Sequence, residues 1–190
     1  LEFRRVLFRS QRPAGWTTEL HPGLAPWLRQ AAAALTGGTL LVIDYAHEAW
    51  RYYAPQRSNG TLMAYRQQQA SPDPLQEPGH WDLTAHLCLE SLEQAAAAAG
   101  WRPLGQRRQG EALLALGLAQ RLHGLQGQAT VGAALPELLA RREALLRLVD
   151  PHTLGDFRWV AFSRAAATSD QGSTDQSSTV ALFLQDPPLA

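Results

Sequence analysis

Four consecutive apolar residues, Leu40 to Ile43, end abruptly at Asp44-Tyr45. An unbroken run of this kind predicts a strand over 39–45, buried on both faces of a parallel sheet. Upstream, residues 22–35 (PGLAPWLRQAAAAL) read as a helix: Pro22 suits its first turn and Gly37-Gly38 stops it. Helix, glycine pair and buried strand make half of an α/β repeat. Residues 89–99 read as a helix closed by Gly100. Residues 101–107 suit a short strand, with Pro103 placing it at an edge or bulge. Residues 109–123 predict an amphipathic helix with Leu113, Leu116 and Leu118 inside. Residues 132–149 predict another, with Pro136 in its first turn and Arg141, Arg142 and Arg147 outside. Residues 157–164 (FRWVAFSR) alternate as a strand does, and 179–184 (TVALFL) suit a last strand in a hairpin with them. The Ser/Thr/Gln/Asp/Gly-rich stretch between, 166–178, reads as a loop.

Residues 46–80 have no sustained period, yet carry Trp50, Tyr52, Tyr53, Arg57, Tyr65 and Arg66. A loop this long in a compact domain is functional or disordered, and its aromatic and arginine content favours an ordered, functional loop over a linker. The stretch HWDLTAHL follows, at 80–87. Its alternation from Asp82 puts Asp82, Thr84 and His86 on one face of an extended segment. There a carboxylate can orient an imidazole and raise its basicity. The same residues also suit a duller role: Asp82 or Thr84 as a helix N-cap, and His86 on the surface of a helix starting at 82. Asp44 and Tyr45 stand at the carboxyl end of the apolar strand, where open α/β sheets bind ligands. Asp44 capping the next turn is the plainer alternative.

The composition narrows the function classes. In 190 residues, 45% apolar and 18% charged, there is material for one globular domain with a sizeable core. Formal net charge is zero, which gives no electrostatic reason to expect nucleic acid or an anionic membrane as partner. Cys88 is the lone cysteine, so no internal disulfide or thiolate zinc site is possible, and a reducing cytoplasm fits. No apolar run approaches the ~20 residues that span a bilayer. Asp44, His47, His80, Asp82 and His86 could offer metal ligands, but their spacing fits no HExxH-type signature, and no metal is expected. The first ten residues, LEFRRVLFRS, lack clear period and read as a non-native scar, leaving 11–190 as the domain.

Four blocks occur in order: LLVIDYAHE (41–48), RSNGTLMAYRQQ (57–68), EPGHWDLTAHL (77–87) and RRQGEALLALGL (107–118). Together they resemble the MidA-like methyltransferases, the bacterial and mitochondrial family that includes the complex I assembly-factor arginine methyltransferase. The matching residues are Asp44-Tyr45, Gly60-Thr61-Leu62, Tyr65, Pro78-Gly79, Asp82 to His86 and Gln109. Ala46, Gln67, Cys88 and Ala112 depart from the pattern. The resemblance implies a Rossmann-like class I fold, a doubly wound α/β sheet with a long inserted loop, using S-adenosylmethionine. It also implies that this chain is the C-terminal half, lacking the SAM-binding half, inactive and poorly stable alone. It implies a protein side chain as acceptor, arginine by family, on a partner such as a respiratory complex I-type subunit. Asp44, Asp82 and His86 become the expected catalytic residues, the two carboxylates cradling a guanidinium and His86 orienting it or taking a proton. Tyr45, Arg57, Thr61, Tyr65, Thr84 and Gln109 become the expected substrate contacts. A non-catalytic assembly module is the competing expectation, and a metal-dependent hydrolase using His47, His80 and His86 a more distant one.

Overall fold

The computed structural model describes residues 12–129, 135–165 and 182–188. In chain order its elements begin with helix α1 (Leu24–Ala34), strands β1 (Gly38–Asp44) and β2 (Ala46–His47), and helix α2 (Ala49–Tyr52). Strands β3 (Met63–Arg66), β4 (Gln69–Ser71), β5 (Asp82–Thr84) and β6 (Leu87–Cys88) follow. Then come α3 (Leu89–Ala98), β7 (Arg102–Arg108), α4 (Gln109–Ala115), α5 (Leu118–Ala129), α6 (Leu135–Arg147) and β8 (Arg158–Arg164). The chain divides into two compact units. One comprises residues up to Gly23 with Ala46–Leu92; the other comprises Leu24–Tyr45 with residues from Glu93 onward.

The second unit holds a three-stranded sheet in the order β1-β8-β7. β8 is antiparallel to both neighbours, so β1 and β7 run the same way on either side of it. The expected α/β character is present, but the strand roles are exchanged. The Leu40–Ile43 run is not buried on both faces. β1 has a partner along one edge only among the described residues, and Leu41 and Ile43 are 41% and 45% exposed. Leu40 and Val42, on the opposite face, are half-buried. The alternating segment is the central strand instead, and its Val160, Ala161 and Phe162 are buried in succession. A strand flanked on both sides has no solvent edge, so polar residues survive only at its ends.

Helices meet this sheet through few, specific contacts. In α1, Leu28 and Ala32 are one turn apart and buried. The Leu28 carbonyl accepts from Trp101 Nε1 at 3.1 Å, just after Gly100 (φ +84°) has stopped α3. The expected helix over 109–123 is broken in two at Gly117 (φ +88°), so Leu116 is half exposed; Ala112 is the buried apolar residue of α4, and Leu118 is buried as expected. α6 carries Pro136 in its first turn with Arg141, Arg142 and Arg147 exposed, as its pattern predicts. Both edges of β8 are taken, leaving no place for a further strand beside it. Leu182–Leu184 accordingly form a 3-10 turn that buries Phe183 against Ala112 and Ala161. Gly105, at the bulge in β7, leaves room for Leu184. The expected scar at 1–10, the loop at 166–178, and residues 132–134 and 179–181 lie outside the described residues.

The first unit is the long irregular stretch, and it is ordered. β3 pairs antiparallel with β4 and with β5, in the order β4-β3-β5. The β3–β4 turn is made by Gln67 and Gln68, both at positive φ (48° and 66°). β2 and β6 form a short parallel ladder, Ala46 beside Leu87 and His47 beside Cys88. Ala64 and Tyr52 are fully buried here.

Candidate functional site

The first unit gathers most of the expected site residues on two neighbouring features. The first is the face of the β3–β5 pair. Tyr65 stands directly opposite Asp82, and Met63 opposite Thr84. Residues two apart on a strand share a face, so Tyr65, Asp82 and Thr84 line one surface together with Met63. Asp82 is exposed and Tyr65 is 43% exposed. Extension ends at Thr84, and this corrects the expected row of three. His86 lies beyond the strand, because its backbone N–H is captured by Thr61 Oγ1 at 3.0 Å and the chain then enters β6.

The second feature is a polar knot around Glu19. Its carboxylate accepts from the Thr61 N–H (2.9 Å), the Thr61 hydroxyl (2.9 Å) and the Leu62 N–H (3.0 Å). Gly60 (φ +84°) makes this approach possible: a Cβ there would fall 2.1 Å from Glu19 Oε1. Burial alone would push the Glu19 carboxyl up, but the Thr61 and Leu62 donors favour the charged form and hold it below the usual carboxylate range. The Tyr52 hydroxyl lies 3.4 Å from Glu19 Oε2 and 3.2 Å from His21 Nε2. Burial first, and the Glu19 charge second, push its phenol well above the ordinary range. His21 Nε2 also contacts the His86 carbonyl at 3.0 Å. A carbonyl only accepts, so that nitrogen carries a proton.

The imidazole of His86 stacks on that of His47, with centroids 4.3 Å apart and planes 12° from parallel. Arg57 Nη2 lies 3.2 Å from His47 Nε2, and its Nη1 donates to the Arg51 carbonyl at 2.9 Å. A guanidinium cannot accept, so His47 Nε2 presents its lone pair. Arg57 therefore supports a histidine, and Thr61, 7% exposed, supports both Glu19 and His86.

The remaining expected residues belong to the second unit. Asp44 is exposed at the carboxyl end of β1, where its Oδ1 accepts from the Tyr45 N–H at 2.7 Å. The Tyr45 ring packs on Phe157 at 4.0 Å. Gln109 is turned inward: its two amide protons go to the Leu148 and Leu154 carbonyls (3.1 and 3.0 Å), and its oxygen accepts from Trp159 Nε1 (3.2 Å). Its position ties the start of α4 to the turn before β8, and no donor is left over for a ligand.

Glu19 and His21 are functional candidates that the sequence pattern does not announce, and Tyr52 stands out in it only as part of an aromatic-rich loop. Glu19 meets Thr61 across 42 residues of chain, and no local pattern in TTELHPG announces that. Among the described residues, no group of three His, Cys, Asp or Glu side chains is placed to hold a metal ion. None of their helices is long and apolar enough to cross a membrane.

The comparisons with known proteins agree on a class. A family described as "Putative S-adenosyl-L-methionine-dependent methyltransferase" matches residues 3–107, more than half of the chain. A crystal structure from Burkholderia thailandensis bound to S-adenosyl-homocysteine is similar at 29% identity and TM-score 0.75, over 89% of this chain and 43% of that one. A native crystal structure from the same organism gives 29% identity and TM-score 0.75, over 88% of this chain and 44% of that one. The chain thus spans less than half the length of these two structures. No curated protein matches it.

Proposed function

From the premise that this chain belongs to the family of S-adenosyl-L-methionine-dependent methyltransferases, we propose that it carries the acceptor side of a protein methyltransferase, and that the acceptor is an arginine side chain, as in the MidA-like enzymes it resembles. The family's cofactor is S-adenosylmethionine. The residues present do not make a whole site for it. In doubly wound folds a glycine-rich strand-to-helix turn lets the backbone approach the cofactor. No Gly-x-Gly occurs in the 190 residues, and Tyr45-Ala46-His47 follow β1. The chemistry legible in this chain is recognition of the group that receives the methyl.

The observation that carries this reading is the face shared by Tyr65, Asp82 and Thr84. An arginine acceptor is a planar cation with five donors in a fixed fork. A carboxylate such as Asp82 can take two of those N–H groups side by side, which aims the remaining nitrogen. Tyr65 offers an aromatic face for the guanidinium plane, and the Thr84 hydroxyl offers a further acceptor. The nitrogen must give up a proton on methylation, and the His86 imidazole is the base proposed to take it. Asp44 and Tyr45 stand at the strand end where this fold class receives ligands. A respiratory complex I-type subunit is the partner that the family resemblance suggests.

The test uses a protein that joins this segment to the family's cofactor-binding part, with labelled SAM and a Gly-Arg-Gly peptide. Label should enter the arginine. Asp82→Asn should lower kcat/KM at least tenfold, about 1.4 kcal/mol of transition-state stabilisation, with SAM affinity by calorimetry unchanged within twofold. Loss of SAM affinity in a folded variant would put Asp82 in the cofactor site. Exposed Trp50 and Leu75, at 74% and 78%, favour the competing reading of a docking module. That reading predicts no label transfer and no effect of Asp82→Asn.

A further inference from the structure

His86 is held on both sides of its Cα. The N–H before it donates to Thr61 Oγ1 at 3.0 Å, and the C=O after it accepts from His21 Nε2 at 3.0 Å. Both holders lead back to one group. The Thr61 hydroxyl has a single proton; it goes to Glu19 Oε2, which leaves the oxygen's lone pairs for the His86 N–H. His21 reaches Glu19 through the Tyr52 hydroxyl, which contacts both the Glu19 carboxylate and its main-chain carbonyl. The carboxylate only accepts, which sets the direction of the Thr61, Leu62 and Tyr52 protons, and the His86 carbonyl only accepts, which sets that of His21. A neutral group of the same shape at position 19 would face the Thr61 and Leu62 N–H groups with a donor of its own, or leave the Thr61 hydroxyl free to turn.

We propose that Glu19 is a positioning residue for the acceptor site, acting through Thr61 and the His21–Tyr52 pair to fix the two peptide groups that flank His86 and so aim its imidazole. This rests on the acceptor-site reading above. The backbone torsions of a residue set the direction of its Cα–Cβ bond, and a misplacement of about 1 Å at a reacting group can cost ~100-fold in rate. Gly60 is part of the same device, since any side chain there would occupy the space of the Glu19 carboxylate. Thr61 has a role in this scheme that needs no contact with substrate.

Two readouts separate this proposal from the one it rests on. The first needs no activity: backbone amide exchange at His86 in the full chain, followed by NMR. Glu19→Gln should speed that exchange at least tenfold relative to wild type. Thr61→Val should do the same while keeping the Thr61 and Leu62 N–H groups, and Thr61→Ser should restore protection. The second is methyl transfer to Gly-Arg-Gly in the protein carrying the cofactor-binding part. Glu19→Gln should lower kcat at least tenfold with KM for the peptide within twofold, and Thr61→Ser should again recover the rate. If wild type transfers no methyl to the peptide, the acceptor reading fails and His86 exchange alone decides for Glu19. Unchanged His86 exchange in Glu19→Gln and Thr61→Val would overturn the proposal. So would normal kcat in an active enzyme carrying either change. Should Glu19→Gln not fold, the Thr61→Val and Thr61→Ser pair decides in the same way.

Discussion

In one unit an ionised carboxylate, Glu19, gathers a glycine turn and the segment leading to His86. In the other a neutral amide, Gln109, gathers the end of the α6 segment and the turn before β8. Each uses nearly all of its hydrogen-bonding capacity on irregular backbone and on neighbouring side chains, and each has a glycine beside it where a Cβ would collide. The materials differ. The amide brings both donors and an acceptor, so it can join two carbonyls to an indole N–H without charge. The carboxylate brings acceptors alone, so it collects N–H and O–H groups and depends on its ionisation. A neutral tie serves where only position matters. A charged one makes the local structure sensitive to protonation, and it occurs beside the residues proposed to handle an acceptor.

The glycines give the sharpest way to break the comparison. A Cβ on Gly155 would sit 2.3 Å from the Val149 carbonyl oxygen and 2.4 Å from its carbon. Backbone on both sides cannot yield without dismantling the turn that Gln109 ties. Gly155→Ala should destabilise by roughly 4 kcal/mol or more, seen as a large drop in urea midpoint or as insoluble protein. At Gly60 the obstructed atoms belong to the Glu19 side chain, which can swing away and abandon its donors. Gly60→Ala should cost less, about 2–3 kcal/mol, adding the positive φ to lost hydrogen bonds. Equal losses at the two sites would show that the carboxylate is as fixed as backbone.

Gln109 itself comes next. Gln109→Ala leaves the Leu148 and Leu154 carbonyls and the Trp159 indole N–H without that partner, in a site 9% exposed. Unfolding free energy should fall by roughly 2–4 kcal/mol, by the same amount at pH 7 and pH 4, because no titrating group takes part. A change under 1 kcal/mol would mean that water replaces the amide readily and that the tie matters little.

How much of this was legible in the sequence depends on the range of the interactions. The helices over 24–34, 89–98 and 135–147 and the strand at 102–108 followed local pattern, down to the bulge at Pro103-Gly105 and the stop at Gly100, whereas the helix over 109–123 broke at Gly117 and 182–184 formed a 3-10 turn. Strand rank did not follow local pattern. The apolar run of β1 looks central and lies at an edge among the described residues, whereas β8 alternates in sequence yet is buried in succession between two neighbours. Which edges are filled is decided by segments far away in the chain. The three- and four-residue strands β3, β4 and β5 are too short to show a period, and their hairpin turns on Gln67-Gln68 rather than an Asn-Gly signal. Of the candidate site, the face of Asp82 and Thr84 was readable from period two. Tyr65 joined it through register, and Glu19 through a contact with Thr61 that no spacing rule reaches.

The smallest effect separates the carboxylate knot from an ordinary surface pair. The folded-state value of the Glu19 carboxyl lies below its ordinary 4.5, so it binds its proton less readily folded than unfolded. Its stabilisation is therefore full above that ordinary value and is lost as pH falls through the folded one. Urea unfolding of wild type at pH 7, 4 and 3 should show a decline that Glu19→Gln, already weaker at pH 7, shares only in part. The two curves should converge toward the acid end. Glu77 pairs with Arg66 at 2.5 Å, but the two side chains are 60% and 41% exposed. Glu77→Gln should stay within about 1 kcal/mol of wild type across the same range, since solvent screens an exposed pair. Parallel curves for wild type and Glu19→Gln would mean that the Thr61 and Leu62 donors do not discriminate between the carboxylate and the acid, and the contrast with the neutral Gln109 tie would lose its physical basis.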